Sequence, residues 1–125
     1  MRDFISKDEL DREVLYLISQ HIGRQNAVGR WDLVEQIFGE KQSNRDDGNS
    51  LDRRMRDSIE RLRGEGHIIC NMGDRTGYYV ASNVEEYQEF RLLYGAHAFP
   101  IMATIREMDR AASQKWPNPL QPALM

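Results

Sequence analysis

Four of the arginines on one short segment near the middle of the chain carry the chemistry of greatest interest. They are Arg53, Arg54, Arg56 and Arg61. A guanidinium binds phosphate oxygens, or donates two parallel hydrogen bonds to a guanine edge in a major groove. If the segment is helical, Asn49, Ser50 and Arg53 at its N-terminal end lie closest to base edges. The pattern therefore predicts contact with duplex DNA.

The same arginines have acidic neighbours, and this leaves a second interpretation open. The carboxylates within reach along a helix belong to Asp52, Asp57, Glu60 and Glu65. Pairs spaced three or four residues apart on a helix attract one another, and such a surface is often only a solvated, ion-paired face.

Two further arginines are candidate DNA contacts. Arg75 lies at the tip of a predicted hairpin, where it can enter a minor groove or touch a phosphate, although Asp74 beside it reduces the local charge. Arg30 lies near the start of a predicted helix, whose terminal amides also favour phosphate. For both residues, an ordinary solvent-exposed arginine is the alternative.

No residue pattern predicts catalysis, a cofactor or a metal. His21, His67 and His97 fall on different predicted elements, and Cys70 is the only cysteine, so no metal-ligand spacing occurs. Phosphate-loop, nucleophile-elbow and dinucleotide-binding motifs are missing from the sequence as well. We therefore expect a protein that is not an enzyme.

The arginine segment is predicted to be a helix followed by a β-hairpin. At about 100° per residue, residues 50–63 place their apolar side chains on one stripe, and Gly64 and Gly66 end the helix. That stripe consists of Leu51, Met55, Ser58, Ile59 and Leu62. Turn chemistry at residues 73–77 then separates two β-rich runs. A helix with an arginine-bearing face and a hairpin behind it indicates a winged helix-turn-helix.

Two more helices are predicted before this unit. Ser6 and Glu9 form a capping box for the first helix, which we expect to run to Ile22 and stop near Gly23. The second runs from Arg30 to Phe38 and closes at Gly39. Ala27-Val28 between them is a candidate short strand that pairs with the hairpin, and residues 41–49 read as an exposed polar loop.

After the hairpin, a capping box at Asn83–Glu86 opens a long helical pattern. Its apolar or small positions alternate in steps of four and three residues, as a coiled-coil seam requires, and predict either internal packing or a homodimer. The seam consists of Tyr94, Ala98, Ile101, Ile105, Met108 and Ala112. Pro100 should kink this helix or split it near Ala98-Phe99. We therefore divide the chain into 1–82, a C-terminal helical extension at 83–113 and an extended tail at 114–125.

Composition and charge narrow the class of protein. The chain is 40% hydrophobic and 30% charged. It has neither an apolar run long enough to span a membrane nor a secretory leader, so we expect a cytoplasmic protein that does not associate with a membrane. Its net charge of −3 argues against bulk coating of nucleic acid. Residues 41–81 carry eight basic and seven acidic side chains, which makes them the only positive third of the chain.

The order of these motifs resembles the winged helix-turn-helix proteins of bacteriophages and mobile elements. The resemblance covers about residues 8–92. It rests on Asp52-Arg53, Arg56, Ile59 and Leu62-Arg63 along the helix, on Gly66, Ile69 and Cys70, and on Gly77-Tyr78-Tyr79. It implies a mainly α fold with a small hairpin, and a DNA-binding transcriptional regulator or replication accessory factor. The acidic overall charge departs from that expectation.

Two functions therefore remain as hypotheses. The first is a non-catalytic, homodimeric protein that binds duplex DNA. The second is a protein-interaction module on the same scaffold, such as a phage-encoded inhibitor or adaptor of a host protein. In that case the contact surface is the acidic part of residues 1–40 or the Tyr94–Ala112 stripe.

Overall fold

Five α-helices and one antiparallel hairpin make up the part of the chain that the computed structural model describes, residues 4–73 and 77–116. In chain order the elements are α1 (Lys7–Ile18), a 3-10 turn (Arg24–Asn26), α2 (Arg30–Phe38), α3 (Ser50–Gly64), β1 (Ile69–Cys70), β2 (Tyr79–Val80), α4 (Val84–Ala96) and α5 (Phe99–Lys115). The mainly α class with a small hairpin is confirmed. None of the described helices is long and apolar enough to cross a bilayer. The chain divides into two compact units, Met1–Phe90 and Arg91–Met125.

The first helix begins as predicted but ends one turn early. The Ser6 hydroxyl accepts a hydrogen bond from the Glu9 amide at 3.2 Å, as expected for its N-cap. The expected extension to Ile22 is wrong, because α1 ends at Ile18. Beyond a short turn, the Val80 amide donates to the His21 carbonyl, and Ile22 bridges Val80 as a parallel neighbour. Pairing with the hairpin thus replaces the last helical turn.

The second and third helices have the predicted bounds. The positive φ of 72° at Gly39 closes α2. The Asn49 side chain caps α3 by accepting a hydrogen bond from the Asp52 amide at 3.0 Å. At the other end of α3, Gly66 has a φ of 100°, and the His67 amide donates to the Leu62 carbonyl at 3.1 Å. This is the Schellman arrangement that glycine favours.

The hairpin pairs Ile69 with Val80 and Cys70 with Tyr79. Val28 forms an antiparallel bridge to Tyr78, with hydrogen bonds of 2.9 Å in both directions, so the candidate strand at Ala27-Val28 does pair with the hairpin. This approach requires glycine at position 77. A Cβ there would lie 2.0 Å from the Val28 carbonyl oxygen.

One core holds the three helices and the hairpin of the first unit together. The apolar stripes of α1, α2 and α3 meet in it, with Val28, Ile69 and Tyr78 closing the side toward the hairpin. The buried helical side chains are Leu10, Val14, Ile18, Leu33, Val34, Ile37, Phe38, Met55, Ile59 and Leu62. Burial of apolar area at this scale is the main source of stability for a small unit, and it fixes the position of α3.

The C-terminal helical pattern is split in two. The Asn83 side chain caps α4 by accepting a hydrogen bond from the Glu86 amide at 2.9 Å, and the Glu86 carboxylate reaches back to the Ser82 amide. Helix α4 ends at Ala96, and α5 begins at Phe99 with Pro100 in its first turn. Since proline lacks the amide that a continuous helix needs, it starts α5.

Candidate nucleic-acid interface

The outermost ridge of α3 carries less positive charge than the sequence suggests. Its exposed side chains are Ser50, Arg53, Asp57 and Glu60, which include one cation and two carboxylates. No described residue hydrogen-bonds to the Arg53 guanidinium. Arg53 and Ser50 are therefore the predicted DNA contacts that the N-terminal half of this ridge presents to solvent.

A fully buried carboxylate lies behind this ridge. Asp52 has 0% exposure and accepts hydrogen bonds from two arginines. Arg30 reaches it through Nε at 2.7 Å and Nη2 at 2.5 Å, and Arg56 through Nε at 2.7 Å. A buried charge needs such partners, because desolvation without them is costly. Asp52 thus ties the start of α2 to the first turn of α3.

A second acidic residue contacts the same arginines from the loop between α2 and α3, its carboxylate reaching Arg30 and its backbone carbonyl reaching Arg56. Asp47 Oδ1 accepts from Arg30 Nη2 at 2.8 Å, and its backbone carbonyl accepts from Arg56 Nη2 at 3.0 Å. The hydrogen bond from Arg30 lowers the pKa of Asp47. The hydrogen bond to Asp52 raises the pKa of Arg30, so this arginine stays charged.

Two other predicted DNA contacts are engaged inside the first unit. Arg54 donates to the Ile5 carbonyl at 2.9 Å and lies over the Phe38 ring, with its central carbon 5.2 Å from the ring centroid. Arg61 makes a bidentate pair with Asp11 on α1, at 3.0 Å and 2.8 Å. These contacts pack α3 against α1 and α2, so both arginines serve the fold.

The remaining predicted contacts have different environments. Asn49 is buried, because its amide donates to the Gln42 side chain and the Asn44 carbonyl, each at 2.8 Å, while its oxygen caps α3. A base edge cannot reach it without breaking the cap. Arg75 lies outside the described residues.

A groove of about 680 Å³ separates the start of α3 from the hairpin. Arginine side chains enter it from three elements: Arg30 from α2, Arg45 from the loop and Arg56 from α3. Their side chains are 30%, 45% and 37% exposed, so each keeps a face toward solvent. The lining also includes Trp31 and Asn71, together with two acidic residues, Asp32 and Asp47.

Sequence reasoning missed three members of this arrangement. The sequence pattern does not identify Arg45 as a candidate, and it identifies neither Asp47 nor Asp11 as a partner of the arginines. Helical spacing alone cannot detect them, since they come from other elements. Asp52 did carry a usable signal, because positions 52, 55, 59 and 62 share one helical stripe, and a carboxylate in phase with buried side chains needs cationic partners.

The predicted C-terminal seam lies on exposed helices of the second unit. Helix α5 has no buried residue, and Ile101 and Met108 are 62% and 59% exposed. Tyr94 and Ala98 are also exposed, whereas Ile105 and Ala112 are half-buried. Dimerisation through this seam stays a prediction.

Within the described residues, no group of three or more histidine, cysteine, aspartate and glutamate side chains is placed to hold a metal ion. Cys70 is buried, and burial raises the pKa of its thiol to about 11, so the thiolate is scarce at neutral pH.

Comparisons with protein-family models, with curated proteins and with solved structures give no match to this chain.

Proposed function

We propose that this chain is a winged helix-turn-helix protein that binds duplex DNA without catalysis. The observation that carries the proposal is the groove beside the start of α3, where Arg30, Arg45 and Arg56 keep solvent-facing surfaces next to the exposed Arg53. Guanidiniums converging from three elements suit a run of backbone phosphates, which need several cations at fixed spacing.

The order of the elements supports the winged helix assignment. Three helices precede a two-stranded hairpin, and Val28 pairs with Tyr78, immediately before the hairpin's second strand. In this arrangement α3 is the helix offered to a major groove, and the hairpin is the wing beside it. Arg53 lies within the first two turns of α3, where side chains reach base edges.

The internal ion pairs change which arginines carry the proposal. Arg54 and Arg61 are engaged with α1, α2 and the segment before α1, so the expected contacts reduce to Arg53, Arg56, Arg30 and Arg45. Arg30 and Arg56 share the carboxylate of Asp52, Arg30 also holds Asp47, and Arg45 holds Glu35, so the four arginines offer a net charge of about +1 before any pair is displaced. We therefore expect about one or two neutralised phosphates per protomer and a slope of log affinity against log salt of about −1 to −2.

Fluorescence anisotropy with a mixed-sequence duplex, repeated over a range of salt concentrations, tests this proposal. Arg53→Ala and Arg56→Ala should each weaken binding by about three- to tenfold and make the salt slope shallower by about one phosphate. Arg12→Ala is the matched control. Arg12 is exposed on α1 beside Leu62 and Glu65, at the far end of α3, and its removal changes net charge by the same amount.

The expected effect of Arg12→Ala is less than about twofold, since it contributes only a screened, distant charge. Circular dichroism of each variant checks that Arg56→Ala remains folded despite losing its bond to Asp52. If both α3 variants bind as the control does, or if no duplex binds at low salt, the groove is not a DNA site.

We also propose that the seam on α4 and α5 pairs two protomers. The apolar surface of α5 supports this, because a helix with no buried residue exposes Ile101 and Met108 at coiled-coil spacing. Sedimentation equilibrium should show a dimer that Met108→Asp converts to a monomer. Thr104→Asp, on the same helix outside the seam, is the control and should stay dimeric.

A protein-interaction module is the second candidate function. The exposed carboxylate of Asp57 on the outer ridge of α3 favours it, since it opposes a phosphate backbone, whereas Glu60 on the same ridge is paired with Arg63 at 2.6 Å. On this alternative the seam or the acidic surface of residues 1–40 contacts a host protein. A dimer that retains no duplex at low salt would favour the alternative over DNA binding.

A further inference from the structure

The loop carboxylate of Asp47 occupies a position on Arg30 that suits a phosphate oxygen. Asp47 presents one negatively charged oxygen to Arg30 Nη2 at 2.8 Å, at the groove between α3 and the hairpin. A phosphodiester offers an oxygen of the same charge and the same hydrogen-bonding capacity. We propose that Asp47 is an intramolecular competitor for this site, and that a phosphodiester displaces it when the groove binds nucleic acid.

Burial distinguishes the carboxylate that leaves from the one that stays. Asp52 is fully buried and holds both Arg30 and Arg56, so displacing it would strand two cations. The Asp47 side chain is 87% exposed, and a pair that exposed is weak because water and salt screen it. An incoming anion therefore replaces Asp47 and leaves Asp52 in place.

Charge balance supports the same exchange. Arg30, Arg56 and Asp52 together carry one net positive charge, and Asp47 brings the cluster to zero. Replacing the Asp47 carboxylate with a single phosphodiester keeps that balance. The exchange leaves in place the contacts that position the arginines, because Asp52 holds both guanidiniums and Arg30 packs over Trp31, with its central carbon 4.8 Å from the ring centroid.

The loop that carries Asp47 has other attachments, so release of the side chain does not require the loop to unfold. The Gln42 amide and Arg45 Nη2 both donate to Glu35 on α2, at 2.7 Å and 3.0 Å. At its far end, Asn49 holds the Asn44 carbonyl and caps α3. Displacement of the Asp47 side chain thus breaks one exposed ion pair, the one with Arg30. The hydrogen bond from Arg56 to the Asp47 backbone carbonyl breaks as well only if the loop backbone moves.

The inference rests on the proposed DNA binding, and two variants test it. Asp47→Asn removes the competing charge. Asp46→Asn is the matched control, since Asp46 is exposed in the same loop, and an asparagine oxygen can still accept from the Gly48 amide at 2.9 Å. Asp47→Asn should tighten binding of a mixed-sequence duplex by about two- to fivefold, the range for losing one exposed competing pair. Asp46→Asn should change it by less than about 1.5-fold.

A second readout separates failure of the inference from failure of DNA binding. Inorganic phosphate is titrated into the same proteins while NMR follows the guanidinium N–H resonances of Arg30 and Arg56, which include the Arg30 Nη2 group that Asp47 contacts. In Asp47→Asn these resonances should shift at lower phosphate concentration than in the wild type or in Asp46→Asn.

Equal tightening by both variants, or by neither, overturns the competitor role while leaving DNA binding standing. If no protein binds duplex but phosphate shifts the Arg30 resonance more readily in Asp47→Asn, the proposed function fails and the anion exchange holds. If no duplex binds and phosphate leaves both resonances unchanged, both proposals fall.

Discussion

Replacing Asp52 with asparagine tests the central contact between α2 and α3. The substitution keeps the size of the side chain but removes the charge that three hydrogen bonds from Arg30 and Arg56 share. One of the two asparagine groups then presents N–H donors to arginine N–H donors. We expect Asp52→Asn to lower the free energy of unfolding of the first unit substantially.

The magnitude follows from burial. Removing one partner of a fully buried ion pair costs about 3–5 kcal/mol. Here Arg30 and Arg56 remain about a third exposed, so water can recover part of that loss. We therefore expect a loss of about 2–3 kcal/mol, which for a unit of this size lowers the melting temperature by about 10–20 °C.

Urea denaturation followed by far-UV circular dichroism measures this loss. Asp57→Asn is the matched control, because Asp57 has the same chemistry on the same helix but faces solvent. Surface substitutions of this kind change stability by less than about 0.5 kcal/mol. If Asp52→Asn costs no more than Asp57→Asn, the buried carboxylate does not hold the two helices together and does not fix the arginines of the groove.

Two further predictions concern the contacts that position α3 and the hairpin. Gly77→Ala should cost about 3 kcal/mol or more in urea denaturation, because its Cβ would meet the Val28 carbonyl and its φ is 97°. Gly64→Ala has open space around its Cβ and should instead stabilise by about 0.4–1 kcal/mol; equal effects would contradict the steric argument. Burial raises the pKa of Asp11, but hydrogen bonds from Arg61 and Ser58 outweigh it and lower the pKa overall. The charged carboxylate therefore stabilises the fold above about pH 4. This stabilisation is lost as the pH falls through the lowered pKa. Asp11→Asn should therefore be less stable than the wild type by about 1–2 kcal/mol at neutral pH, with a gap that closes in acid, and a gap constant with pH would refute the pairing.

Local signals in the sequence were sufficient for most of the fold. Gly39 and Asn49 mark helix ends through backbone geometry and capping, which depend only on neighbouring residues, and α2 and α3 match their predicted bounds. The predicted end of α1 is wrong because Ile22 continues the helical spacing of apolar residues. Its backbone instead pairs with Val80, which lies more than fifty residues away in the sequence. The periodicity of apolar residues reports only local structure and cannot predict such a long-range contact.

The candidate site was harder to predict than the fold. A spacing of four residues already pairs Arg56 with Asp52, but the contacts of Arg30 and Arg61 with carboxylates depend on how the helices and the loop between α2 and α3 pack together. The burial of each guanidinium then determines whether it stabilises the fold or can donate hydrogen bonds to a ligand. Helical phase places both Arg53 and Arg56 away from the apolar stripe of α3, but only Arg53 lies on the exposed ridge, because Arg56 hydrogen-bonds to Asp52.

The pairing of arginines with carboxylates also bears on how quickly a partner is found. Each ion pair acts at a distance as a small dipole, whose potential decays faster than that of a single charge. Attraction of a polyanion from afar is therefore weak, and association should proceed near the unsteered range of about 10⁵–10⁶ M⁻¹s⁻¹. Differences in affinity between partners of such a surface should therefore lie mainly in the dissociation rate.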